Sequence, residues 1–161
     1  MQIVWYGGDY LSDFELETKI VQENLGELRK IAGWTAENLA EKLDVTKQTI
    51  SNLETGKVQM SRMQYIAIRS VFSCEMFINK QNATLRKVIE VLFDCLPHEY
   101  DDKKEKTRTA IISIASTAVV GISDLELYSV AVALLAPLGY ITHYSAPKNN
   151  QPSLDWLLRL Y

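Results

Sequence analysis

Cysteine is scarce in this chain: Cys74 and Cys95, two in 161 residues, both in apolar settings. That excludes a disulfide framework, and with no secretory leader opening the sequence the expectation is a reducing cytoplasm. Histidine is equally sparse. His98 has only Cys95 near it and His143 has no cysteine near it, so no metal-ligand spacing forms and no metal or cofactor is expected. Seven glycines include no phosphate-cradling loop, and no histidine, carboxylate and nucleophile stand at spacings that suggest catalysis; an enzyme is not expected. Long apolar runs are missing too. The apolar run Thr109 to Ile122, closed by Asp124 and Glu126, falls short of the roughly twenty residues that a bilayer requires. Nor is there an excess of positive charge, since the net charge is −3 and the pI near 5.4. What is present suffices for a folded core: 47% hydrophobic residues in a length that suits one domain or two small ones.

The most informative stretch is Thr35 to Gly56, TAENLAEKLDVTKQTISNLETG. Leu39, Ala40 and Leu43 fall on one face of a first short helix, and Ile50 and Leu53 on one face of a second. Thr35 and Thr46 stand where an N-cap hydroxyl is wanted. The connecting Leu43-Asp44-Val45 is short enough to demand a tight corner, in which Asp44 tolerates a left-handed backbone, and Gly56 closes the second helix. Between its buried positions the second helix carries Lys47, Gln48, Thr49, Ser51 and Asn52, small or amide-bearing groups with one cation. Such a surface is suited to hydrogen bonding. Lys and Gln near a helix N-terminus reach guanine or adenine edges in a major groove, and the helix-end amides with Thr46 meet a phosphate.

Leu25 to Phe72 resembles the helix-turn-helix domain of the phage repressor and Cro (XRE) family. The resemblance rests on Leu25, Leu28-Arg29, Gly33, Thr35, Leu39-Ala40, Val45, Ile50-Ser51, Leu53-Glu54 and Gly56, followed by a further amphipathic helix, and spans 48 of the 161 residues. It implies an all-α bundle of about five helices whose third enters the major groove of double-stranded DNA, usually as a homodimer on a two-fold operator. By position, Lys47, Gln48 and Asn52 resemble base-contacting residues, with Thr49 and Ser51 assisting. Thr35, Thr46, Lys57 and Arg62 resemble phosphate contacts, and Arg29 with Glu54 a partly buried structural ion pair. Two departures stand out: Ala36 replaces a frequent phosphate-binding Gln, and Asp44 the usual turn Gly. Charge agrees regionally. Residues 25–72 hold seven cations and five anions, against one and five in residues 1–24 and nine and ten in residues 73–161. That modest excess fits operator binding rather than non-specific coating of nucleic acid.

Around this segment the domain expectation is an N-terminal arm over 1–17, a DNA-binding domain over 18–80 and a helical oligomerisation or partner-binding region over 81–161. Met1 to Tyr10 fits a short strand or an ordered arm, with Trp5 and Tyr6 packed on the body or a partner. Ser12 or Asp13 caps a helix whose period runs through Ile20, Leu25 and Leu28 to Gly33, so the family's first helix is expected to be extended. Ser61 with Gln64 forms a capping box, and the helix that follows buries Met63, Ile66, Ala67 and Val71 and leaves Arg69 solvated. Leu85, Val88, Ile89, Leu92, Phe93 and Leu96 form an apolar stripe ended by Pro97 that is expected to begin a separate unit. His98 to Arg108 reads as a solvated connection or a helix's first turns. Thr109 to Ile122, and a helix from the Ser123–Glu126 capping box to Pro137, form an apolar pair expected to bury surface in a homodimer. Tyr140 to Gln151 reads as a loop, and Pro152 to Tyr161 as a last amphipathic turn or two. The expected function is a sequence-specific transcriptional regulator, with repression the expected mode; the alternative is an antitoxin or antirepressor-like module that binds a protein partner through residues 83–161. The self-cleaving repressors' Ser and Lys need a β-rich domain, for which this helical, glycine-poor half has no scaffold.

Overall fold

The computed structural model describes residues 3–6, 9–96 and 100–140, with the backbone alone for 3–6, 9–13, 100 and 101. The expected loop from 141 onward, the terminal amphipathic turns, Pro97, His98 and His143 lie outside the described residues, as do the side chains of Trp5 and Tyr6. Among the described residues the fold is all-α apart from one hairpin at the start. Strands β1 (Ile3–Tyr6) and β2 (Asp9–Ser12) pair antiparallel, Ile3 opposite Ser12 and Tyr6 opposite Asp9. The two residues between them in sequence are Gly7 and Gly8, a composition that suits a tight hairpin connection.

Helices α1 (Asp13–Glu23) and α2 (Leu25–Ile31) follow. The apolar period running across both predicts one extended helix, yet the chain breaks at Asn24, where φ is −114° and ψ 10°. The cause is local competition: the Asn24 side-chain amide donates to the Ile20 carbonyl at 2.8 Å, offering the backbone an alternative to continued helix. Helices α3 (Ala36–Leu43), α4 (Lys47–Glu54) and α5 (Arg62–Ile78) come next. Thr35, Thr46 and Ser61 each accept the backbone N–H three residues on, and Thr35 with Asn38 and Ser61 with Gln64 complete reciprocal boxes. These caps fix where α3, α4 and α5 start.

Between α3 and α4, Asp44 adopts φ 52° and ψ 46°, the left-handed region in which a Cβ crowds the following carbonyl. Replacing it with glycine removes that crowding, so Asp44→Gly should stabilise the fold by roughly 0.5–1 kcal/mol, seen in thermal unfolding as a rise of about 2 °C. A fall in the midpoint would mean that the Asp44 side chain itself holds the corner.

The second half consists of α6 (Ala83–Glu90), a π-helical turn (Val91–Cys95), α7 (Tyr100–Val120), α8 (Asp124–Leu135) and a 3₁₀ turn (Ala136–Leu138). Helix α7 lies along α2, α6 also touches α2, and α8 packs against α6 and α7. Leu85, Val88 and Leu92 are consequently buried in the same cluster as Leu25, Leu28 and Leu39. The stripe expected to begin a separate unit instead completes the core of the first half, because α2, with Leu25, Leu28 and Ile31 buried, packs against α6 and α7 as well as α4. Arg108 reinforces this junction, its Nη1 donating to the Glu23 carbonyl at 2.5 Å. No helix among the described residues is long and apolar enough to cross a membrane.

Arg69 corrects the expectation of a solvated cation. It is 5% exposed, donates from Nη1 to the Tyr65 hydroxyl at 2.6 Å, and stands 3.4 Å from both Glu17 and Asp94. Its guanidinium also lies 4.6 Å from the Phe93 ring centroid. Burial, with the hydrogen bond to Glu17, pushes the Tyr65 hydroxyl well above the ordinary phenol range, although Arg69 opposes the shift. Tyr65 therefore keeps its proton and donates it to Glu17 at 2.5 Å.

Candidate nucleic-acid interface

Helix α4 is seated by Ile50 and Leu53, both buried, and packs against α1, α2 and α3. At about 100° per residue, burying those two turns Gln48, Ser51, Asn52 and Thr55 directly outward, with Lys47 and Thr49 at the two margins. Lys47, Gln48 and Thr55 are exposed, and Thr49, Ser51 and Asn52 half-buried. The structure thus brings Gln48, Ser51 and Asn52 together on one open face. Thr49 is turned aside: it lines a shallow apolar depression with Leu43, Val45 and Met63, and its hydroxyl lies 2.9 Å from that of Thr46.

Two amides on this face hold each other. Gln48 Nε2 donates to Asn52 Oδ1 at 2.9 Å, a bond that uses neither the Gln48 carbonyl oxygen nor the Asn52 amino group and so fixes which is acceptor and which is donor. Lys47 Nζ forms an ion pair with Glu37 Oε1 on α3. The hydrogen bond from Lys47 is the main reason the Glu37 carboxyl is held below its ordinary value. In an NMR titration the Glu37 carboxyl should move up toward the ordinary range in Lys47→Ala. An unchanged titration would mean that Lys47 spends little time at that oxygen.

Of the residues that resemble phosphate contacts, Thr35 and Thr46 sit at the N-termini of α3 and α4, their oxygens occupied by the capping N–H of Asn38 and Thr49. The Thr35 hydroxyl also hydrogen-bonds the Glu37 carboxylate, while the Thr46 hydroxyl proton can go to Thr49 or to an anion beside the N-terminal amides of α4. Lys57 is exposed on the turn after α4. Arg62 begins α5 and lies with its guanidinium 5.0 Å from the Phe14 ring centroid, over α1.

Behind the face, Arg29 and Glu54 form a fork: Nε to Oε1 at 2.6 Å and Nη2 to Oε2 at 3.1 Å, while Nη1 donates to the Trp34 carbonyl at 2.9 Å. The two side chains are only 14% and 17% exposed. One guanidinium thereby ties α2 to the end of α4 and to the entrance of α3. Gln22 does the same from α1, a role that nothing in its local sequence signals. Its Nε2 donates to the Leu53 and Val58 carbonyls at 3.0 and 2.6 Å, and its Oε1 accepts the Met60 N–H at 2.9 Å.

This arrangement of α2 to α5 coincides with a family match: residues 25–74 match the model described as Helix-turn-helix. Residues 25–74 form a helix-turn-helix domain of the XRE type. No curated protein and no solved structure matches the chain significantly. Helix-turn-helix domains of this type are DNA-binding regulatory modules, which makes the protein a DNA-binding regulator. Within the helix-turn-helix, α3 and α4 are the paired helices, and α4 stands second, the position that the recognition helix takes in this motif. Glu37 is the residue of this helix-turn-helix that sequence reasoning missed. It stands ten residues from Lys47 across a turn, a spacing at which no helical rule pairs side chains.

Proposed function

We propose that the protein is a sequence-specific transcriptional repressor that binds a two-fold operator as a homodimer. The observation that carries this reading is the outward face of α4, where Lys47, Gln48, Ser51 and Asn52 stand together above a helix whose other sides are occupied by α1, α2 and α3. In this reading Lys47, Gln48 and Asn52 meet base edges with help from Thr49 and Ser51, and Thr35, Thr46, Lys57 and Arg62 meet phosphates. Residues 18–80 act as the reading head and 81–161 set the distance between two heads, while the arm expected over 1–17 is confined to the hairpin that precedes α1, since Glu17 bonds Tyr65 and Arg69 of the head. The shared core makes this a division of labour rather than of folding. Side chains at the α7–α8 corner support a paired assembly: Val119, Val120 and Leu125 are 67%, 78% and 77% exposed, apolar groups that a second copy would cover.

Selection from a randomised duplex pool tests the reading. It should enrich a palindromic sequence with half-sites about 34 Å apart or a multiple of that, bound less tightly as salt rises. If no sequence is enriched, the reading is lost. The same exposed corner favours one other reading, an antitoxin or antirepressor-like module in which the second half binds a different protein. Two copies of this chain and nothing else in the purified assembly would support the homodimer; a stoichiometric second protein would support the module.

A further inference from the structure

Lys47 does not stand alone on the outward face, since Glu37 from the first turn of α3 holds its ammonium group. The pair is open to solvent, 63% and 52% exposed, and such pairs are weak and screened by salt. A role in stability is therefore a poor account of it. Its position matters more, because the carboxylate occupies the cation that stands at the N-terminal margin of α4.

We propose that Glu37 sets specificity by making Lys47 selective for a neutral guanine edge over an anionic phosphate. An ammonium group has three donors and no directional plane, so an unattended lysine binds any phosphate it meets. With one donor held by Glu37, two remain. Guanine offers O6 and N7, both uncharged acceptors, and can take those two donors without disturbing the carboxylate. A phosphate brings its negative charge against Glu37, and must either displace the carboxylate or bear the repulsion. The pair thus penalises the backbone contact that every sequence offers and spares the base contact that only some offer. This rests on α4 being the reading helix.

The test compares wild type, Glu37→Gln, Lys47→Ala and the double variant on a selected duplex and a scrambled one, across a salt series. Glu37→Gln should tighten binding to the scrambled duplex about 10-fold and steepen its salt dependence by about one unit of slope, as one freed cation implies. Affinity for the selected duplex should change by less than about 3-fold, so that discrimination falls. The gain on scrambled DNA should vanish when Lys47 is also removed. An equal gain on both duplexes, or one that survives in the Lys47→Ala background, would mean simple relief of repulsion and would overturn the proposal while leaving sequence reading intact. A wild type that prefers no duplex would remove the reading of α4 as well.

Discussion

Arg29→Ala should cost the fold about 3 kcal/mol, near the lower end for breaking a buried ion pair, and lower the melting midpoint by about 10 °C. The direct loss of three hydrogen bonds is the smaller part. Glu54 would be left as a charge at 17% exposure with its fork partner gone, and the Trp34 carbonyl would lose its donor. An abandoned buried charge is worse than an absent pair. Replacing both residues, Arg29→Met with Glu54→Leu, should therefore recover much of the loss, and a double variant as unstable as the sum of its singles would contradict this account. Because the pair lies behind α4, folded Arg29→Ala protein should keep its ranking of DNA sequences. A single variant within about 0.5 kcal/mol of wild type by denaturant unfolding would show that solvent already screens the pair.

How much of this was legible in the sequence depended on how far apart the partners are. Caps are local. Thr35, Thr46, Ser61 and Ser123 each bond a group three residues away, so their residue types alone mark helix starts. The helix-turn-helix segment was legible for the same reason, with its buried stripes and its turn contained in 22 residues. Asn24 was not, because an apolar period that continues across a break hides the break. Arg69 was misplaced because its partners Tyr65, Glu17 and Asp94 come from three elements, two of them more than twenty residues distant. The stripe from Leu85 to Leu96 was recognisably apolar, yet periodicity says only that a face must be covered, not that α2 is what covers it. On the outward face the candidate residues follow as the complement of the buried ones, whereas Glu37 joins them only through the angle between α3 and α4. That angle is a property of the packed helices, and no spacing along the chain encodes it.

Gln48→Ala should cost the preferred duplex about 1–3 kcal/mol, roughly 5- to 150-fold in affinity, while leaving scrambled duplex binding nearly unchanged. Gln48 Nε2 is already committed in part to Asn52 Oδ1 at 2.9 Å, which fixes the orientation of both amides before DNA arrives. A preset amide loses less freedom on binding and presents its acceptor and remaining N–H in one geometry, the pattern that an adenine edge complements. Removing Gln48 should also release Asn52 to rotate, so Asn52→Ala should cost less in the Gln48→Ala background than in wild type. That coupling separates a shared reading unit from two independent contacts. Lys57→Ala supplies the contrast: without its ammonium group near the DNA backbone, every duplex should bind more weakly to the same degree, and the salt slope should fall by about one. If Gln48→Ala instead weakens all sequences equally, the amide pair is serving the backbone, and base reading must be sought in other residues of α4.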